Sequence, residues 1–250
     1  MELLTSRVAQ VTAPGKISFF TRQVPRPGPH EVVVRVKASA ICGSDLHIFK
    51  GKHPSVSLPA TIGHEFSGDI VAVGEAVHRV QAGGRVTVEP CIVCRTCDAC
   101  LRGNSSHCER ISFTYRNGDG AMADYVTVRA DSVFPIPEHL TYQTAALIEP
   151  MAVAAHAVRR ADVKLGDAVL VLGAGAIGLM VCALAKQMGA QQILAVDYAP
   201  ARLALAAQLG ATEIINPGQG MDVEEAARRC TGGVGVDKSF ECVGRESTLV

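Results

Sequence analysis

The stretch Val169-Leu-Val-Leu-Gly173-Ala-Gly175-Ala-Ile-Gly178 decides the fold. Its first four residues are β-branched or leucine, as a buried strand requires, and glycine then recurs at Gly173, Gly175 and Gly178. Alone, G-x-G-x-x-G is a weak signal. Here it ends a predicted strand and opens a predicted helix, the context its mechanism needs. Gly173 permits a tight turn, Gly175 lets the backbone approach a pyrophosphate, and Gly178 allows the helix to pack closely on the strand. Ala176 and Ile177 open that helix, whose free N–H groups and positive dipole end would face the phosphates. Asp197 stands nineteen residues beyond Gly178, at the end of the next predicted strand. A carboxylate there accepts ribose hydroxyls and repels a 2′-phosphate, which favours NAD over NADP. Arg202, five residues further on, keeps NADP open.

Beyond this motif, strands and helices alternate: strand 168–172, helix 176–188, strand 192–196, helix 200–209, strand 212–216, helix 223–230, strand 236–242. That alternation predicts a parallel, doubly wound sheet. Just upstream, 144–160 is alanine-rich and helical in pattern, with an interruption at Pro150. The first 140 residues have a different grammar. Short β-branched runs at 31–40, 66–73, 85–89, 125–128 and 133–136, bounded by Gly or Pro, predict a barrel-like β domain. Residues 25–29 (PRPGP) read as a turn or extended connector.

The 250 residues can bury a large core, and 48% apolar with 19% charged residues is a globular composition. Lys plus Arg and Asp plus Glu balance at 24 each, leaving no basic stripe for nucleic acid and no polybasic tail for a membrane surface. The uncharged run 168–185 reaches the lower length of a membrane helix, but its three glycines mark a strand, a turn and a helix. The N-terminus has no apolar segment behind a basic start, so no secretory signal is read there. Nine cysteines are many, and five lie between Cys91 and Cys108. Clustered thiols without an export signal point to metal and to a reducing cytoplasm.

Cys94, Cys97, Cys100 and Cys108 follow C-x2-C-x2-C-x7-C, the pattern of a closed, structural zinc shell. Cys91 extends the three-residue spacing backwards, and spacing alone does not choose between the registers Cys91-Cys94-Cys97 and Cys94-Cys97-Cys100. A second constellation, Cys42-Gly-Ser44-Asp45-Leu-His47, then Gly63-His64-Glu65, then Glu149-Pro150, offers a thiolate, an imidazole and carboxylates. Three such ligands leave one position open, as a catalytic zinc site requires.

In order and content, residues 41–46 (ICGSDL), 62–68 (IGHEFSG), the four-cysteine lobe and the glycine fingerprint resemble the zinc-dependent medium-chain dehydrogenases. The likeness runs from about Gly15 to Gly244, and 145–157 (AALIEPMAVAAHA) and 240–244 (FECVG) look like the sorbitol and xylitol dehydrogenase branch. It implies an α/β protein: a GroES-like β-barrel catalytic domain over 1–152, then a Rossmann NAD-binding domain over 153–250. Cys42 and His64 would be zinc ligands, Glu65 or Glu149 the third, and Asp45 would orient His64. The family register selects Cys94, Cys97, Cys100 and Cys108 and leaves Cys91 spare. Gly83-Gly84-Arg85 departs from the usual Gly-Asp-Arg.

The chemistry implied is NAD-linked oxidation of a secondary alcohol, most simply a polyol such as sorbitol or xylitol. Zinc would act as the Lewis acid, and the proton would leave through Ser44 and then His47. Phe113 is a candidate wall of the substrate pocket or a core residue. L-threonine or a phosphorylated polyol is the alternative substrate, and a non-catalytic zinc- and nucleotide-binding remnant the alternative role. A dimer or tetramer is expected for the full-length form. Because the chain ends after a fourth predicted strand where such domains carry six, the reading expects a truncated Rossmann domain with little or no turnover.

Overall fold

Residues 31–39 show how the first part of the chain is organised. Glu31–Ser39 (β3) carries Val32, Val33 and Val34, all but fully buried, and is paired on both sides. In the computed structural model it is the fourth strand of an antiparallel sheet ordered β10-β6-β5-β3-β9. Its partners are Phe66–Val73 (β5), Arg85–Val88 (β6), Tyr125–Arg129 (β9) and Val133–Pro135 (β10). Residues 4–114 and 120–248 are described. One face of this sheet buries Val32, Val34, Phe66, Ile70, Val86, Val126 and Val133 in a single cluster.

A hairpin of Thr5–Ala13 (β1) and Lys16–Gln23 (β2), turned at Pro14-Gly15, joins Ala60–Thr61 (β4) in a second sheet. Neither hairpin strand is among the predicted elements, although Pro-Gly is a strong turn signal. Gly15 takes φ 73°, which suits a residue with no Cβ. Val11 packs with Gly43–Phe49 (α1) through Ile48, and with Ala60 and Ile62. Phe113, in the short strand Ser112–Phe113 (β8) opposite Cys91–Ile92 (β7), packs against this same cluster.

The chain divides into two compact units, Met1–Glu149 and Pro150–Val250. In the second, Ala168–Leu172 (β11), Gln192–Val196 (β12), Glu213–Ile215 (β13) and Lys238–Glu241 (β14) form a wholly parallel sheet ordered β13-β12-β11-β14. Helices Ala176–Gln187 (α5), Pro200–Leu209 (α6) and Val223–Cys230 (α7) link the strands. Alternate side chains serve opposite faces. Val169, Val171, Ile193 and Ala195 join Val181 and Ala206 on one side, while Leu194, Val196 and Ile215 join Ala226 and Ala227 on the other. Burial on both faces is what a parallel sheet demands, and it explains why these strands read as unbroken apolar runs.

One expectation is corrected. Pro150 does not interrupt the helical run; the break is at Leu147, which closes Tyr142–Ala146 (α3). Pro150 lies in the first turn of Ile148–Arg160 (α4), where its missing N–H would have had no intrahelical partner.

Two candidate metal centres and a nucleotide turn

Pairing of β3 with β5 sets Ser39 against Phe66, and the Ala40 N–H donates to the Glu65 carbonyl at 2.8 Å. That register brings the segment before α1 beside the segment before β5. Cys42 is the N-cap of α1, and the Asp45 carboxylate reaches back to accept the Cys42 N–H at 3.0 Å. Its other oxygen accepts the Gly63 N–H at 3.0 Å, so one buried side chain fastens both segments. The outcome is a cluster: one ligand atom each from Cys42, His64 and Glu65, all within 4.8 Å of one another.

Around this cluster the electrostatics favour a cation. Burial works against charge on His64, yet Asp45 and Cys42 outweigh it and raise the imidazole to about 10. The Asp45 Oδ1 lies 3.7 Å from His64 Nδ1. Burial likewise pushes Glu65 and Glu149 above the usual carboxylate range, and Asp45 adds to the shift of both. A thiol, an imidazole and a carboxylate gathered in this way are the donor set that fits a divalent ion such as zinc. Glu149 is half-buried at the start of α4, outside the three-residue set but within electrostatic range of His64 and Glu65. On α1, Ser44 is half-buried and His47 exposed.

The second centre is local. Cys94, Cys97, Cys100 and Cys108 likewise place their sulfurs within 4.8 Å of one another. Cys97 caps Asp98–Leu101 (α2), which turns Cys100 back towards it. Backbone N–H groups point at the sulfurs: Cys94 and Arg110 donate to Cys108 Sγ at 3.3 and 3.4 Å, and Cys97 donates to Cys94 Sγ at 3.3 Å. The Thr96 backbone N–H, then that of Cys97, lowers the Cys94 thiol to about 5. Cys91 is not in this group; it sits in β7, and burial pushes its thiol up to about 11.

At the end of β11, Gly173 turns the chain with φ 95°. A Cβ on Gly178 would stand 1.9 Å from the Gly173 carbonyl oxygen, so helix and turn touch through bare backbone. Gly175, the N-cap of α5, has no heavy atom within 4 Å of where a Cβ would be, leaving open space above the helix terminus. Ala176 is exposed and Ile177 half-buried there. Asp197 accepts the Ala174 N–H at 2.9 Å and the Ala199 N–H at 2.8 Å, with Arg202 at 3.5 Å. Its carboxylate thus braces the glycine turn, a role the sequence reading did not assign. Among the described residues no helix is long and apolar enough to cross a membrane.

The alcohol dehydrogenase GroES-like domain family matches residues 28–138, and the zinc-binding dehydrogenase family matches 176–250. A sorbitol dehydrogenase of Bacillus subtilis is 39% identical over 94% of this chain and 67% of its own length. The "Probable D-xylulose reductase A" of Aspergillus clavatus is 40% identical over 81% of this chain and 58% of its own length. The chain therefore spans about two thirds or less of these two relatives. An Escherichia coli oxidoreductase of unknown specificity superposes with a TM-score of 0.93 at 35% identity, covering 98% of this chain and 72% of that one. Two further structures superpose at 0.89 over 98% of this chain, and over 72% and 71% of their own chains respectively. They are a Sinorhizobium meliloti zinc-binding dehydrogenase bound to NADP, 33% identical, and an Escherichia coli alcohol dehydrogenase complexed with NADH, 32% identical.

Proposed function

The chain belongs to the zinc-dependent medium-chain dehydrogenases, and on that footing we propose that it oxidises a secondary alcohol, a polyol such as sorbitol or xylitol, with NAD as hydride acceptor. The observation that carries this reading is the Cys42–His64–Glu65 cluster, three ligand atoms of the kinds that leave zinc an open position. Bound there, zinc supplies Lewis acidity that lowers the pKa of an alcohol. Cys42 and Glu65 each bring a negative charge to offset the ion, and Asp45 holds the two segments that present them. Glu65 or Glu149 supplies the carboxylate, the other lying one water away, so that one position stays open. The Ser44 hydroxyl takes up the alcohol proton and passes it to His47, which is exposed on the same helix.

The Cys94–Cys97–Cys100–Cys108 lobe holds a structural zinc. Residues 1–152 form the catalytic domain and 153–250 the nucleotide domain, where Gly173, Gly175, Ala176, Ile177 and Gly178 cradle the pyrophosphate. Asp197 selects the free ribose, with Arg202 beside it. We place the protein in the reducing cytoplasm, because all nine cysteines are unpaired, and expect a homodimer or homotetramer in the full-length form.

Metal analysis tests this directly, with two zinc ions expected per chain. Cys42→Ser should lose one of them, and Cys100→Ser the other. Cys91→Ser should keep both, and loss of zinc on that change alone would show the thiol register to be wrong. A wild type with no zinc at Cys42, or no affinity for NAD, would refute the proposal. A panel of sorbitol, xylitol, threonine and a polyol phosphate, read as NADH formed, then ranks substrates.

Asp197→Ala should weaken NAD and narrow the gap to NADP by roughly tenfold or more, through loss of the ribose acceptor, the repulsion and the brace on Ala174. Titrating both nucleotides into wild type and variant measures it. A wild type that prefers NADP would overturn the role of Asp197.

A further inference from the structure

Residues 136–141 connect β10 to α3, and three of their backbone carbonyls converge on one side chain. Arg85, half-buried on β6, donates through Nη1 to the carbonyls of Pro137 and Glu138 at 3.0 and 2.8 Å. Its Nη2 donates to the Leu140 carbonyl at 2.6 Å. The same guanidinium lies 4.5 Å from the centre of the Tyr142 ring. Tyr142 is held at two further points. Its hydroxyl donates to Asp69, which is paired with Arg35 at 2.9 Å, and its carbonyl accepts from the fully buried Ser67 at 2.7 Å. Thr141 then caps α3 by accepting the Thr144 N–H. Ser67 is two residues from Glu65, and Tyr142 is seven residues before Glu149. The Ser67–Tyr142 hydrogen bond therefore ties the strand that follows Glu65 to α3, the element just before the helix that carries Glu149.

We propose that Arg85 is a positioning residue for Glu149: it pins the connection before α3, and Tyr142, to the sheet, which fixes where α3 ends and α4 begins and so where Glu149, in the first turn of α4, is presented towards the Cys42–His64–Glu65 cluster. This rests on the reading of that cluster as a zinc site. A planar fork with five donors can serve three carbonyls and an aromatic face together, whereas a lysine ammonium is a point charge on a flexible stem. Arg85 touches no metal ligand itself. Its effect on the centre passes through the place at which Glu149 sits, and carboxylates around a bound metal are worth roughly 10–100-fold in affinity when their supports are removed.

The test is a double-mutant cycle on the full chain, read as the rate at which a chelator removes each zinc. Arg85→Gln should speed release from the Cys42 centre on the order of tenfold and leave the four-cysteine zinc unchanged. Arg85→Lys should fall in between. In a Glu149→Gln background the Arg85→Gln change should become nearly silent. Equal acceleration in both backgrounds would make Arg85 a general staple of the fold and overturn the proposal, as would no acceleration at all. Tyr142→Phe keeps the ring and drops the Asp69 bond, so it repeats the cycle if Arg85→Gln does not fold. Amide exchange over 145–149 gives a readout without metal, and it should rise in Arg85→Gln. Unchanged exchange refutes the anchor, whereas a wild type lacking the Cys42 zinc refutes only the reading of the site.

Discussion

Asp45→Ala should release the zinc of the Cys42 centre and cost roughly 3–5 kcal/mol of stability, the range seen when a buried charged partner is removed. The size follows from what the carboxylate holds. It is almost wholly buried, and it satisfies the Cys42 and Gly63 N–H groups while standing 3.7 Å from His64. Each buried N–H left without its acceptor costs about 1–3 kcal/mol, against a total stability on the order of 5–15 kcal/mol. Both segments carrying the ligand atoms then lose their common fastening. Asp45→Asn keeps the shape, but its amide NH2 must face one of two N–H donors, so it should fall between alanine and wild type. Urea melts paired with metal analysis measure both effects. An alanine variant that keeps two zinc ions and melts within about 1 kcal/mol of wild type would remove Asp45 from this role.

Gly178→Ala should weaken nucleotide binding on the order of a hundredfold and destabilise the second unit. The added Cβ would lie 1.9 Å from the Gly173 carbonyl oxygen and 3.2 Å from Val171 Cγ1. Backbone cannot rotate out of the way as a side chain can, so α5 must lift from β11 or the turn must open. Overpacking of this kind costs about 1–3 kcal/mol or more, and it displaces the helix terminus on which the phosphates would sit. Gly175→Ala is the contrasting case. Its backbone, at φ −75°, is ordinary and nothing lies within 4 Å of the new methyl. The fold should be unchanged while NAD binding weakens, because the methyl fills the open space above the helix terminus in which the proposed function seats the pyrophosphate. Thermal melts and NAD titration of the two variants separate these roles. Equal destabilisation by both changes would show that Gly175, too, serves packing.

Much of this molecule can be read along the chain, and the reason lies in how local its signals are. Strands β5, β11 and β12 and helices α6 and α7 have their predicted limits, because turn residues bracket uniform apolar or alanine-rich runs. The glycine turn was equally plain, since a tight turn, an open helix end and a close approach each demand glycine within six residues. The β1–β2 hairpin escaped. Phe19 and Phe20 are exposed on an edge strand, so its pattern does not alternate with burial. Helix α1 escaped too, since seven residues give little periodicity to read.

The sequence by itself determined the two-part architecture, the nucleotide turn, and the residue types from which a zinc site is made. Those depend on neighbours within a few positions, where the chain's own geometry restricts what is possible. Which side chains meet was decided by the tertiary structure. Cys91 and Cys100 have equivalent spacing in the chain, but β7 places Cys91 opposite Phe113 while α2 turns Cys100 towards Cys97. Glu65 joins Cys42 and His64 because the β3–β5 register sets Ser39 against Phe66, whereas Glu149, from the start of α4, comes only within electrostatic range of His64 and Glu65. Strand register and loop anchoring are sums of contacts between residues far apart in the chain, and no local pattern encodes them.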